Sequence, residues 1–478
     1  MGRSAVVIEL IEDSSKALFI NLAGSIIREI ERGRLKPGDR LPGTRALAQS
    51  LGVHRNTIDA AYQELILQGW LVAEASRGTF VARDLPDLGV RTWGPPRKSQ
   101  TSPLTRHSAL PPLRFSDGAP DARLMPGVEL ARAFRRAVSA AGLKRLTGYG
   151  DPRGAPPLRS ALARYLEAER GLTIDADDLL VTRGSQMALF LVAGAALQPG
   201  EAIAVEDPGY PLAWKAFRAA GARVVSAPVD AQGLDIDRFE QLLDQEPGVR
   251  AVYVTPHHQY PTTVTLGAGR RLRLLEIARR RDLILIEDDY DHEYRFEGRP
   301  VLPLAARALA DDRVVHIGSV SKLLAPALRI GYATGHPDLI ARMTDLREAI
   351  DRQGDIPLEH ALAKLIEEGD LGRHARKARK IYEHRRDLLA AEITAQLGDA
   401  VAFDSPAGGL ALWLKVAPSI DAAAWAEAAE RVGLLLSHGG QLRLDQSRPA
   451  NAFRLGFASL DDAELRRAVK LLRAARLA

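Results

Sequence analysis

The stretch VVHIGSVSKLLAPALR, residues 314–329, opens on a short apolar run, Val314–Ile317, and then turns polar at Gly318, Ser319, Ser321 and Lys322, with Pro326 and Arg329 downstream. Four earlier runs repeat the design: Leu179-Leu180-Val181, Ala202–Val205, Ala251–Val254 and Leu283–Ile286, each ending in polar residues and alternating with amphipathic helical patterns. That alternation predicts an α/β domain on a largely parallel sheet. Ligands of such sheets lie beyond the carboxyl ends of the strands, so the polar clusters are the candidate site.

Thr182-Arg183-Gly184-Ser185-Gln186 feeds directly into the apolar helix Met187–Leu197. A strand turning through Gly-Ser into a helix offers free N–H groups and a positive dipole end, which suits a phosphate. Glu206-Asp207-Pro208-Gly209-Tyr210-Pro211 delivers an aromatic ring, and Glu287-Asp288-Asp289-Tyr290 places three carboxylates beside a phenol. Stacked acids are costly unless a cation or a protonated nitrogen meets them. A metal ion competes as the partner of this cluster; a nitrogen base is expected, and no metal.

Residues 82–113 interrupt the chain with Pro86, Pro95, Pro96, Pro103, Pro111 and Pro112 in a polar run that keeps neither helix nor strand period. This composition predicts a linker between an N-terminal unit, 1–81, and a C-terminal unit, 114–478. In the N-terminal unit Ile20, Ala23, Ile27 and Ile30 mark a helix over 17–31 that stops at Gly33. Thr44 is read as the cap of a short helix closed by Gly52, and Asn56-Thr57 start a second helix that runs to Gln68. Two helices across a tight Gly-containing turn form a helix-turn-helix. Trp70–Ala73 and Thr79–Val81 then read as a hairpin wing around Arg77-Gly78.

Hydrophobic residues make up 46% of the 478, enough to bury substantial cores, so wholesale disorder is excluded. The absence of cysteine removes disulfides, thiol nucleophiles and Cys-ligated metal. Charges run through the first thirty residues, and no apolar run reaches membrane-spanning length. A soluble, cytoplasmic protein is expected.

Residues 33–82 resemble the winged helix-turn-helix of GntR-type bacterial repressors. The resemblance implies operator DNA contacts from Arg45, from Arg55, Asn56 and Thr57 on the recognition helix, and from the wing near Gly78. His54 fills a position often held by Ser, either touching backbone or standing exposed.

Residues 114–478 resemble the fold-type I aminotransferases, which use pyridoxal 5′-phosphate, through six motifs in order. They are Tyr149–Gly154, Gly184-Ser185-Gln186, Asp207–Tyr210, Asp288-Asp289-Tyr290, Ser321-Lys322 with Arg329, and Phe453–Phe457. The resemblance implies an internal aldimine at Lys322, Asp288 on the pyridine nitrogen, Tyr290 on the ring oxygen and Tyr210 stacked on the ring. It assigns the phosphate to Ser185, Gln186, Ser319, Ser321 and Arg329, with Tyr149 from a partner subunit, and an effector carboxylate to Arg454. One motif departs. His258-Gln259-Tyr260-Pro261-Thr262-Thr263 stands where many aminotransferases have Asn-Pro-x-Gly, which leaves one bond to the ring oxygen open, with His258 or Gln259 as substitutes.

The order of reader, proline-rich linker and aminotransferase-like domain resembles the MocR family of bacterial regulators. This resemblance implies a transcriptional regulator whose large domain dimerises the chain and senses an amine or amino acid, or the cofactor itself. It also implies a homodimer in which each DNA-binding unit lies against the partner's large domain. The alternative is a working aminotransferase with an accessory DNA-binding domain.

Overall fold

The computed structural model describes residues 17–85, 113–139, 142, 148–298, 301–309, 311–320, 322–445 and 451–477. The chain divides into two compact units, Met1–Arg106 and His107–Ala478. Most of the predicted linker, and Ser321, fall outside the described residues.

In the first unit, helices Leu18–Glu31, Thr44–Leu51 and Arg55–Leu67 precede a hairpin of β1 (Leu71–Glu74) and β2 (Gly78–Val81). Leu22, Ile26, Leu47, Ile58, Leu65 and Leu71 fill its core, each contributing roughly 1.5–3 kcal/mol by leaving water. The first helix is rotated from the expected face. Ile20 is 46% exposed, whereas Leu22, Ala23, Ile26 and Ile30 are buried; positions 22, 26 and 30 form the i, i+4, i+8 stripe that one helix face presents. Thr44 is the first helical residue and not the cap, which is Gly43. Gly52, at φ +66°, ends that helix in the left-handed conformation glycine tolerates.

His54 is the cap of the next helix, its Nδ1 accepting from the Asn56 backbone N–H at 3.2 Å. The ring thus satisfies one of the first orphan donors, as Ser would. His54→Ala is expected to cost about 0.5–1 kcal/mol of helix stability, seen as faster amide exchange at Asn56 in the full-length protein. Unchanged exchange there would remove the ring from that role.

The second unit begins with β3 (Leu113–Arg114), which runs parallel to a strand near the C-terminus. Its main sheet takes β4 (Leu179–Thr182), β5 (Ala202–Asp207), β6 (Arg223–Asp230), β7 (Gly233–Leu234), β8 (Val249–Val254), β9 (Ile284–Asp289), β10 (Val314–Ser319) and β11 (Gly331–Gly335). The order is β4-β11-β10-β9-β8-β5-β6-β7. The five expected strands are present, and the pairs among β6, β5, β8, β9 and β10 are parallel. β11 lies antiparallel between β10 and β4. Four further strands, β12 (Val401–Ala402), β13 (Ala411–Val416), β15 (Ser437–His438) and β16 (Ala452–Gly456), form a second sheet, and β14 (Leu434–Leu435) is the partner of β3.

β9 runs further than the sequence suggests and includes Glu287, Asp288 and Asp289, all buried. Because side chains alternate across a strand, Asp288 faces one side of the sheet while Glu287 and Asp289 share the other. Glu287 accepts from the N–H groups of Leu304 and Ala305. Asp289 pairs with Arg170 at 3.1 Å, and Asp288 accepts from the Tyr253 hydroxyl at 2.9 Å. Among the described residues no helix is long and apolar enough to cross a membrane.

Candidate functional site

Beyond the carboxyl ends of β4, β5, β8, β9 and β10 lies a cleft lined by Asp117, Ser185, Tyr210, Tyr253, Thr255, Tyr260, Asp288, Tyr290 and Lys322. Lys322 follows β10 and donates from Nζ to the backbone carbonyls of Asp117 at 2.9 Å and Gly118 at 3.1 Å. Burial holds its amine below the usual lysine range, the direction a nucleophile requires. Across the cleft Asp288 uses only Oδ2, for Tyr253; its buried Oδ1 has no hydrogen-bond partner. Burial raises this carboxyl to about 7, with the Tyr253 bond pulling it down. A protonated ring nitrogen is the kind of donor that would satisfy such an oxygen.

The end of the cleft that the sequence leads one to expect for a phosphate is built on glycine. Gly184, at φ +76°, turns β4 into helix Ser185–Ala196, and a Cβ there would meet the Arg329 guanidinium at 3.1 Å. Arg329 donates to the Arg183 carbonyl at 3.0 Å, fixing its head beside the helix start. Ser185 lines the cleft and Ser319 is buried at the end of β10. Gln186 turns its side-chain amide to the Leu212 carbonyl at 2.7 Å, leaving its backbone N–H at the helix start. Tyr149 is 76% exposed and lies under the Arg352 guanidinium at 4.1 Å, away from this chain's cleft.

The substituted loop behaves differently from the sequence expectation. His258 Nδ1 is 2.7 Å from Asp291 Oδ1, and the Gln259 amide is spent on Pro208, Tyr260 and Thr262. Neither lines the cleft; Tyr260 does, edge-on to Tyr210 at 5.0 Å between ring centres. Tyr290 donates to the His258 carbonyl at 2.9 Å. Thr263 holds φ +66°, a conformation that penalises a β-branched residue. Thr263→Gly is expected to stabilise the unit by on the order of 1 kcal/mol, read as a higher urea midpoint at unchanged slope. A lower midpoint would mean that packing of the Thr263 side chain outweighs the strain.

Arg454, on β16, is 1% exposed. It donates to Asp117 Oδ1 at 3.2 Å and to the Pro261 carbonyl at 2.8 Å, and its guanidinium lies 4.4 Å from the Tyr260 ring centre. Tyr260 also donates to Asp117 Oδ1 at 2.6 Å. An internal carboxylate therefore occupies the cation expected to take a ligand's carboxylate. Asp117, Tyr253, Thr255 and Tyr260 were not legible as site residues. Tyr253 sits inside an apolar strand run, and Asp117 lies in a segment without a motif.

In the first unit Arg45, Arg55 and Asn56 are exposed and Thr57 is half-buried at the start of the recognition helix. Arg55 is pre-positioned by Thr44 Oγ1 at 3.3 Å and Asp59 at 3.4 Å. The exposed Arg40 packs its guanidinium against wing residue Gly78, where a Cβ would meet it at 3.1 Å.

Residues 116–472 match the family described as aminotransferase class I and II, and residues 21–81 match the gntR family of bacterial regulatory proteins. The chain is 32% identical over 463 residues to a probable rhizopine catabolism regulatory protein, MocR, of Rhizobium meliloti, covering 94% of this chain and 92% of that protein. This chain belongs to the MocR-type regulators. A MocR-type relative, the transcriptional regulator TauR of Rhodobacter capsulatus, is 31% identical, with 91% of each chain covered. The large unit of this MocR-type chain also matches the solved Pyrococcus horikoshii kynurenine aminotransferase, with TM-score 0.71 and 27% identity, covering 77% of this chain and 91% of that one. The MocR-type chain thus joins a DNA-binding GntR domain to a fold whose relatives depend on pyridoxal 5′-phosphate.

Proposed function

We propose that this regulator holds pyridoxal 5′-phosphate through Lys322 and senses an amine or amino acid in the same cleft. Its occupancy then alters the grip of the winged helix-turn-helix on operator DNA. The reading is carried by one observation: the half-buried Lys322 amine, held below the usual lysine range, and an unpartnered carboxylate oxygen, Asp288 Oδ1, line one cleft. When bound, the cofactor supplies an aldehyde and an electron-accepting ring. Asp288 keeps the ring nitrogen protonated, Tyr290 meets the ring oxygen and Tyr210 stacks on the ring. Ser185, Gln186, Ser319, Ser321 and Arg329 hold the phosphate, joined by Tyr149 of a second copy in a homodimer with exchanged DNA-binding units.

Arg454 takes an effector carboxylate once Asp117 yields it. A ligand of this kind shifts DNA binding only through different affinities for two arrangements of the protein. DNA contacts fall to Arg45, Arg55, Asn56, Thr57 and the backbone at Gly78. The complete set of Lys322, Asp288, Tyr290 and Arg454 also supports the aminotransferase reading, which requires turnover of about 1–10³ s⁻¹ with an amino acid and a keto acid.

The test measures affinity for a footprinted operator with the cofactor-free protein, the loaded protein, and the loaded protein plus a panel of amino acids and amines. A change of at least about fivefold in one arm is expected. A change on cofactor loading alone makes the cofactor the effector, and identical affinity in every arm sinks the sensing role. Arg55→Ala is expected to weaken the complex by about 1–3 kcal/mol where its contact is to a base edge; an unaltered footprint would leave Arg55 a bystander.

A further inference from the structure

On the opposite side of β9 from the cleft, three side chains converge that the cofactor reading does not use. His257 comes from the loop after β8, Asp289 ends β9, and His292 opens the short helical turn His292–Tyr294. Their candidate ligand atoms all lie within 4.8 Å of one another, and each residue is at most 4% exposed. The two imidazole rings are 4.6 Å apart.

The hydrogen bonding of this cluster is incomplete. His257 Nε2, both ring nitrogens of His292, and Asp289 Oδ1 are buried without a hydrogen-bond partner. His292 Nδ1 is 2.9 Å from Asp289 Oδ2 yet off the line a hydrogen bond needs, the relation of two atoms that share a third. Arg170 braces the carboxylate at 3.1 Å and also holds Glu293 at 2.8 Å. One guanidinium therefore faces two carboxylates. A ligating carboxylate is commonly oriented by such an outer donor.

We propose that His257, Asp289 and His292 form a buried site for a divalent ion of the zinc class. Two imidazoles and one carboxylate are the donor set for zinc, cobalt or nickel. The set is too poor in oxygen for calcium, which takes six to eight oxygen ligands. The ion ties the loop that presents Tyr260 to the end of the strand that presents Asp288. It therefore stiffens the floor of the cleft from behind, without touching the cofactor.

The experiment strips full-length, cofactor-loaded protein with a chelator, reloads it with Zn²⁺, removes the excess and counts metal per chain. Retention of about one Zn²⁺ per chain is expected. His257→Gln and His292→Asn are each expected to lower retention at least tenfold, while His384→Ala, an exposed residue paired with Asp462, leaves it unchanged. Replacing Zn²⁺ by Co²⁺ in the wild-type protein is expected to give the visible bands of a low-coordinate nitrogen- and oxygen-ligated ion. This readout stands whether or not the variants fold. Wild-type protein that keeps no ion overturns the site, as does a folded His257→Gln protein that keeps a full one.

Discussion

Lys322→Ala is expected to abolish covalent capture of pyridoxal 5′-phosphate. After borohydride reduction, the wild-type peptide carrying residue 322 gains a phosphopyridoxyl group, the mass of the cofactor less one oxygen, because condensation expels water and reduction adds two hydrogens; the variant peptide gains nothing, and the purified variant is colourless. The effect is all-or-none because the attacking group must be an unprotonated amine within bonding reach of the aldehyde. Of the residues lining the cleft, Lys322 alone carries an amine. Loss of two hydrogen bonds to the Asp117 and Gly118 carbonyls accompanies the change, at about 0.5–1.5 kcal/mol each. Lys322→Arg, which keeps a donor but no nucleophile, separates stability from chemistry. An adduct on any other lysine would reassign the role.

The pH dependence of the cofactor-free protein has a definite sign. Burial depresses the folded pKa of Lys322, so between that value and the ordinary lysine pKa the unfolded chain binds more protons. The contribution of this group to stability therefore rises with pH across that window. Lys322→Met is expected to flatten this part of the profile.

Arg454→Met is expected to erase the preference for ligands bearing a carboxylate. Truncating one member of a buried, hydrogen-bonded charge pair typically costs 2–5 kcal/mol, or about 30- to several-thousand-fold in affinity. L-Alanine and ethylamine differ by that carboxylate alone, so their affinities for the loaded wild-type protein, followed by its visible spectrum, isolate the term. The ratio is expected to collapse toward one in Arg454→Met. Asp117→Asn is expected to raise it, because the internal carboxylate competing for Arg454 at 3.2 Å is gone. A ratio unaffected by Arg454→Met would place carboxylate recognition elsewhere.

The five core strands and the two units were readable because each is written locally, as an apolar run closed by a turn or as a helix with its cap. The antiparallel β11 was not, because Gly331–Gly335 carries little side-chain pattern and is defined by close packing. A Cβ on Gly331 would meet the backbone at Gly184 at 2.7 Å. Of the residues that the family resemblance implies for the cofactor, Ser185, Tyr210, Asp288, Tyr290 and Lys322 line the cleft. Asp117 was hidden because any residue suits a segment of that composition until β16 brings Arg454 beside it, 337 positions away in sequence. The alternation of Glu287, Asp288 and Asp289 was missed because the end of β9 cannot be placed to within one residue from sequence.

The loop holding Lys322 is closed at its base by the Ser319–Gly331 pair and by the bond from Val320 N–H to the Ile330 carbonyl. A pegged root of this kind gives the lysine little room to follow a ligand. When its amine is committed to another partner, the chain at 117–118 loses a mooring, three to four residues after β3. Under the proposed sensing role, occupation of the cleft would act first on a segment of the large unit close, along the polypeptide, to the first unit.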